Sequence, residues 1–249
     1  AGRYVDDDGT RPAGLVRNQS AVIDHSRRLA TRIGKALDDG DAPLVIGGDC
    51  AILLGAGLAT ASRGGIGLVH VDGHTDFRHP GNSDECGAVA GEALAAAVGR
   101  HWPALADIDG LAPYFAADRT AHIGHRADDE DLEEVRGMLG RVTPAADVLS
   151  LGATAVGAAS AAVAGTSYWL QVDVDVLDAA IMPAVDSPDP GGIGAAELTA
   201  LLTELAPHAV GASITVFDPD LDPDGRHARL LVDILSEGLS ALGTRVPRG

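Results

Sequence analysis

The chain has 249 residues, 46% of them hydrophobic, which suffices for one large α/β domain or two small ones with a full core. Asp and Glu number 36 against 18 Lys and Arg, and the resulting formal charge of −18 argues against nucleic acid and anionic membrane surfaces as partners. Two cysteines, Cys50 and Cys86, make no disulfide framework; with no signal peptide and no apolar run of about 18 residues, the expected location is the cytoplasm.

The opening "AGRYVDDDGTRP" is polar and turn-rich and reads as a loop, which leaves room for a missing first strand. Residues 20–37 place Val22, Ile23, Leu29, Ala30, Ile33 and Leu37 near helical spacing, with Ser20 as the N-cap. "PLVIGG" (43–48) predicts a buried strand ending in a glycine turn, and the following "AILLGAGLATAS" a helix weakened by Gly55 and Gly57. A strand follows over "GIGLVHV", then a helix over 91–99. Residues 119–124 read as a strand and 128–139 as a helix with acids in its first turn, where they suit the dipole. A strand with an acidic end spans 167–178, a helix 194–205, a strand 208–217 and a closing helix 228–242. Residues 100–118 are irregular. Strand-then-helix alternation predicts a mainly parallel sheet with helices on both faces, and no linker divides it, so residues 1–249 read as a single domain.

Three of these strands end in groups that bind cations. The first is followed by Asp49 and Cys50, the second by Asp72, His74 and Asp76, the third by Asp173 and Asp175 with Asp178 just beyond. Alternation along the second strand, continued past Val71, puts Asp72, His74 and Asp76 roughly on one side. Sites in open parallel sheets form outside the carboxyl ends of strands. Several buried acids at one rim need a partner, and two divalent cations sharing carboxylates supply it. Such a pair lowers the pKa of a bridging water and makes hydroxide near neutral pH, which is a hydrolase's equipment. His70, between Val69 and Val71 in mid-strand, reads as a core histidine rather than a ligand. "GAGLAT" lacks the third glycine of a dinucleotide fingerprint, and Trp102 and Trp169 are too scattered for base stacking.

The blocks "GGDC", "VDGHTDF" and "VDVDVLDAAIMPAVDSPDPGG" resemble the three signature blocks of the arginase/agmatinase (ureohydrolase) family, from about residue 17 to the last helix. The resemblance implies a three-layer α/β/α sandwich around a mainly parallel eight-stranded sheet. It also implies a binuclear manganese site that hydrolyses guanidino or amidino C–N bonds by attack of a metal-bridging hydroxide, and assembly into homo-oligomers, trimers or hexamers. Carried over by residue, Asp72 and Asp173 bridge both metals, His74 and Asp175 complete the second, and Asp76 binds the first and hydrogen-bonds the hydroxide as the catalytic group.

The chain also departs from that family. Cys50 stands where a histidine ligand is usual; a thiolate is a softer ligand, which opens the site to zinc as well as manganese. The proton-shuttling histidine matches Ala90, leaving water, His79 or His125 to replace it, and a carboxylate-holding asparagine matches Ala88. Val216 occupies the place of a guanidinium-binding glutamate and offers no carboxylate, so plain L-arginine is not the expected substrate. Arg78, Cys86 and Asp129 are the candidate substrate-binding residues, with Arg78 favouring an anionic group on the substrate or forming a rim salt bridge. The leading expectation is therefore a manganese-dependent ureohydrolase-type hydrolase acting on a small linear amidine. The alternative is a catalytically reduced arginase-like protein that binds metal or ligand without turnover.

Overall fold

The computed structural model describes residues 12–247. The apolar runs fold as strands β1 (Leu44–Ile46), β2 (Gly67–Val71), β3 (Thr120–Ile123), β5 (Tyr168–Asp173) and β6 (Ala209–Thr215), joined by β4 (Arg141–Thr143), which the sequence did not signal. They form one sheet in the order β1-β6-β5-β2-β3-β4, and every neighbouring pair is parallel. Because successive side chains point to opposite faces, Leu68 and Trp169 enter one apolar layer while Val69, Val71, Leu170 and Val172 enter the other.

Helices cover both faces, as parallel crossovers require. On the first lie α1 (Gln19–Asp38), α2 (Ile52–Ala61) and α3 (Ala93–Ala97), with the short α4 (Pro103–Ala106) and α5 (Leu132–Met138) at its margin. On the second lie α6 (Ala145–Leu151), α7 (Ala153–Ala164), α8 (Ala195–Leu205) and α9 (Arg226–Gly238). Leu198, Leu201, Leu202 and Leu205 of α8 recur at one helical face and are fully buried. Each contributes roughly 1.5–3 kcal/mol by leaving water.

The three-layer α/β/α class holds, but among the described residues the sheet has six strands rather than eight. Residues 19–38 are spent on a helix, and the Pro- and Gly-rich stretches 177–194 and 216–225 form turns and short 3-10 segments, where proline removes the ladder donors a strand needs. The open question of a first strand falls largely on residues 1–11, outside the described range. Helix α1 starts at Gln19 after a left-handed Asn18, so Ser20 lies in the first turn and is not the cap. The acids 128–130 precede α5 instead of opening it, and they face the cleft described next.

Candidate metal centre

All three signalled strand ends lie at the carboxyl edge of the sheet. After β1, Gly47 and Gly48 take φ of 97° and 80°, values that suit glycine alone, and turn the chain so that Cys50 is 3% exposed. The Cys50 Sγ lies 2.7 Å from Asp173 Oδ2, which also accepts from Thr215 Oγ1 at 3.2 Å. After β2, Asp72 accepts the His74 N–H on Oδ1 at 2.7 Å. His74 Nδ1 stands 3.1 Å from Asp175 Oδ2 and its Nε2 3.1 Å from Asp189 Oδ2. After β5, Asp173 Oδ1 accepts the Asp175 N–H at 3.0 Å, and Asp175 Oδ1 accepts the Gly73 N–H at 3.2 Å. Period-two alternation is not what gathers Asp72, His74 and Asp76: β2 stops at Val71, and Asp76 has a left-handed φ of 48°. A turn brings the three together.

Asp72, Asp76, Asp173 and Asp175 are all buried. Loss of solvent, followed by the charges of neighbouring carboxylates, pushes Asp72, Asp76 and Asp173 well above the usual carboxylate range. Burial likewise holds the Cys50 thiol far above its ordinary value, reinforced by Asp173. His74 moves up to about 10 because it bonds Asp175. Mutually repelling, water-deprived acids are costly unless a cation joins them. The Asp72 Oδ2 and Asp76 Oδ2 atoms have no hydrogen-bond partner. Donor atoms of Cys50, Asp72 and Asp173 lie within 4.8 Å of one another, as do those of Asp72, His74 and Asp175. The residues present therefore fit divalent cations, and Asp72 belongs to both groups.

The centre opens into a cleft of about 440 Å³ lined by ten carboxylates, by Arg78 and Arg126, and by Val216. Asp129 faces it and accepts the Thr75 N–H at 2.7 Å. Arg78 faces it too, paired with Glu130 Oε2 at 3.0 Å. Val216 has φ of 74°, an outlier for a β-branched residue, fixed by its N–H bond to Gly48 O at 3.0 Å. Cys86 does not line the cleft; it is grouped with Glu92 and His101. Neither candidate replacement for the shuttle faces the cleft: His79 bonds Glu134 at 3.0 Å, and His125 is buried beside His122.

Two contributors escaped the sequence reading. Asp189, inside the quoted "SPDPGG" but given no role there, bonds His74. Arg126 is 6% exposed and donates to the carbonyls of Asp175, Leu177 and Asp189 at 2.8, 3.2 and 3.0 Å, fixing the chain as it leaves β5. Its one mark in the sequence is the arginase-like "GxR" of "IGHRADDE", which carries no role by itself.

A parallel α/β/α sheet that gathers buried acids and an imidazole at its carboxyl edge is the architecture of a metal-dependent hydrolase. The model of the arginase family matches residues 4–240, and the chain belongs to that family. It is 30% identical over 225 residues to the arginase of Brevibacillus brevis, covering 86% of this chain and 74% of that one. It is 28% identical over 224 residues to the formimidoylglutamase of Aeromonas salmonicida, covering 84% and 66%. The crystal structure of Bacillus caldovelox arginase superposes with a TM-score of 0.86 at 26% identity, covering 96% of this chain and 81% of that chain. These relatives support a metal-dependent hydrolase of guanidino or amidino compounds as the general class.

Proposed function

We propose that the protein cleaves a C–N bond of a small guanidino or amidino compound at a binuclear centre held by Cys50, Asp72, His74, Asp76, Asp173 and Asp175. The observation that carries this reading is the convergence of three separate strand ends on buried acids that lack a counter-charge. When bound, two divalent cations supply Lewis acidity and an activated water at neutral pH. Manganese is the first expectation, and the soft Cys50 sulfur admits zinc. Asp76, buried at the cleft floor, accepts the proton of the attacking water and returns it to the leaving nitrogen. Asp129, held by Thr75, and the surrounding acids favour a cationic amidine. Arg78 meets an anionic substrate group only if it leaves Glu130. Val216 supplies no acceptor for a guanidinium, so L-arginine is a poor substrate. By family likeness the assembly is a trimer or hexamer in the cytoplasm; no single helix among the described residues is long and apolar enough to cross a membrane.

One observation favours the second reading, a metal-binding protein without turnover. Ala90 lines the cleft where the shuttle is expected, and His79 and His125 point elsewhere. Elemental analysis of protein purified without added metal, joined to a urea- and ammonia-release screen across guanidino and amidino compounds, separates the two. Two ions per chain with product release is the expected result; tight metal binding with no turnover of any compound leaves the binder.

A further inference from the structure

His70 is not the satisfied core histidine that its sequence position suggests. It is fully buried and sits in a polar row that crosses four strands in register: His122, His70, Gln171 and Ser213. This row lies one pleat below Asp72, Asp173 and Thr215. Gln171 is partnered at both amide atoms, donating to Thr215 Oγ1 at 3.1 Å and accepting from Ser213 Oγ. His70 is only half used. Its Nδ1 meets His122 Nδ1 at 3.0 Å, whereas its Nε2 has no hydrogen-bond partner and stands 3.5 Å from Asp72 Oδ2. That oxygen and Asp76 Oδ2 are also without partners. Donor atoms of His70, Asp72 and Asp76 all lie within 4.8 Å of one another. Two ligands about 2.1 Å from one cation are roughly 3 Å apart at a right angle and about 4.2 Å apart across it. The 3.5 Å between His70 Nε2 and Asp72 Oδ2 falls inside that range.

We propose that His70 Nε2 is an imidazole ligand of the cation held by Asp72 and Asp76. The inference rests on the binuclear reading above and deepens it, because it adds a nitrogen donor to the half of the centre that otherwise has only oxygens and the Cys50 sulfur. Ligation requires a lone pair on Nε2 and so puts the ring proton on Nδ1, where His122 Nδ1 accepts it. His122 is thereby a positioning residue that fixes the tautomer, the part a second-shell acceptor plays for metal-bound histidines.

The test is a crystal structure of the wild-type chain grown with MnCl2, with anomalous maps, beside MnCl2 titrations followed by electron paramagnetic resonance. The expected outcome is an ion within about 2.3 Å of His70 Nε2. His70→Gln keeps one ion per chain and binds the other at least about tenfold more weakly, with loss of one nitrogen coupling. His122→Phe keeps both ions and that coupling, with affinity for one of them lowered about tenfold. A thermal melt without metal establishes that each variant is folded. Two bound ions with His70 Nε2 more than about 3 Å from both, donating instead to Asp72 or a water, overturns the proposal and leaves the binuclear centre standing. A wild-type chain that binds neither manganese nor zinc removes both.

Discussion

Asp72, Asp76 and Asp173 hold their protons more tightly in the fold than the ordinary carboxylate value of 3.8, because burial and their mutual repulsion oppose ionisation. A group whose folded pKa is raised stabilises the fold fully below its unfolded value and loses that contribution as pH rises through the folded one. Burial holds His70, His122 and His125 below their ordinary value, and these pull the other way; in EDTA the wild-type melting temperature is therefore expected to fall relative to that of Asp76→Asn as pH rises from about 4 toward neutrality, and MnCl2 to flatten that difference. A difference between the two proteins that is independent of pH across that window contradicts the electrostatic picture of the centre. Arg126→Met leaves the buried carbonyls of Asp175 and Leu177 short of a donor, with an expected loss of roughly 2–4 kcal/mol in urea denaturation and weaker metal binding through the displaced Asp175 and Asp189. The acids and His74 were legible because residue type and spacing announced them. Arg126 and Asp189 were not, since their partners lie 49 and 115 residues away and only the fold sets those distances.

Strand β2 begins in a confined place. A methyl group at Gly67 would stand 2.2 Å from the Ala164 carbonyl oxygen at the end of α7 and 2.8 Å from that of Arg119 ahead of β3. Backbone on both sides cannot swing away as a flexible side chain can. Gly67→Ala is expected to cost roughly 1–3 kcal/mol, and a melt indistinguishable from wild type shows that α7 can shift. The core strands were legible as short β-branched runs between turns. Helix α7, "ATAVGAASAAVA", was not: alanine on every side erases the apolar–polar contrast on which periodicity depends. Its small side chains suit close packing on α8, where Gly157 leaves space for Glu204 and Leu201. Strand β4 is three residues long and holds too few positions for alternation to register.

The whole molecule carries a formal charge of −18, and ten of its carboxylates surround one cleft. Two divalent cations reduce that only to −14. The cleft consequently remains an attractor for cations after the centre is loaded. KM for a cationic amidine is expected to rise with ionic strength between about 0.01 and 0.5 M, as the Debye length shrinks from about 30 Å to a few ångströms, while a neutral substrate shows no such trend. Steady-state assays at several salt concentrations decide it. At this scale the sequence conveyed the layer class and the acidity, both of which are sums over the chain. Strand number was not such a sum, and the expectation of eight came from likeness to a family rather than from any run of residues.

Both sulfur atoms are sequestered, and a thiol must ionise before it attacks an electrophile. Without bound metal, burial raises Cys50 far above its usual range, and it holds Cys86 at about 11. At pH 7 iodoacetamide is expected to leave the folded chain unalkylated, whereas unfolded molecules take up two carbamidomethyl groups. Intact-mass spectrometry after a brief alkylation pulse thus counts denatured molecules directly, and the protein carries its own gauge of denaturation without an added label.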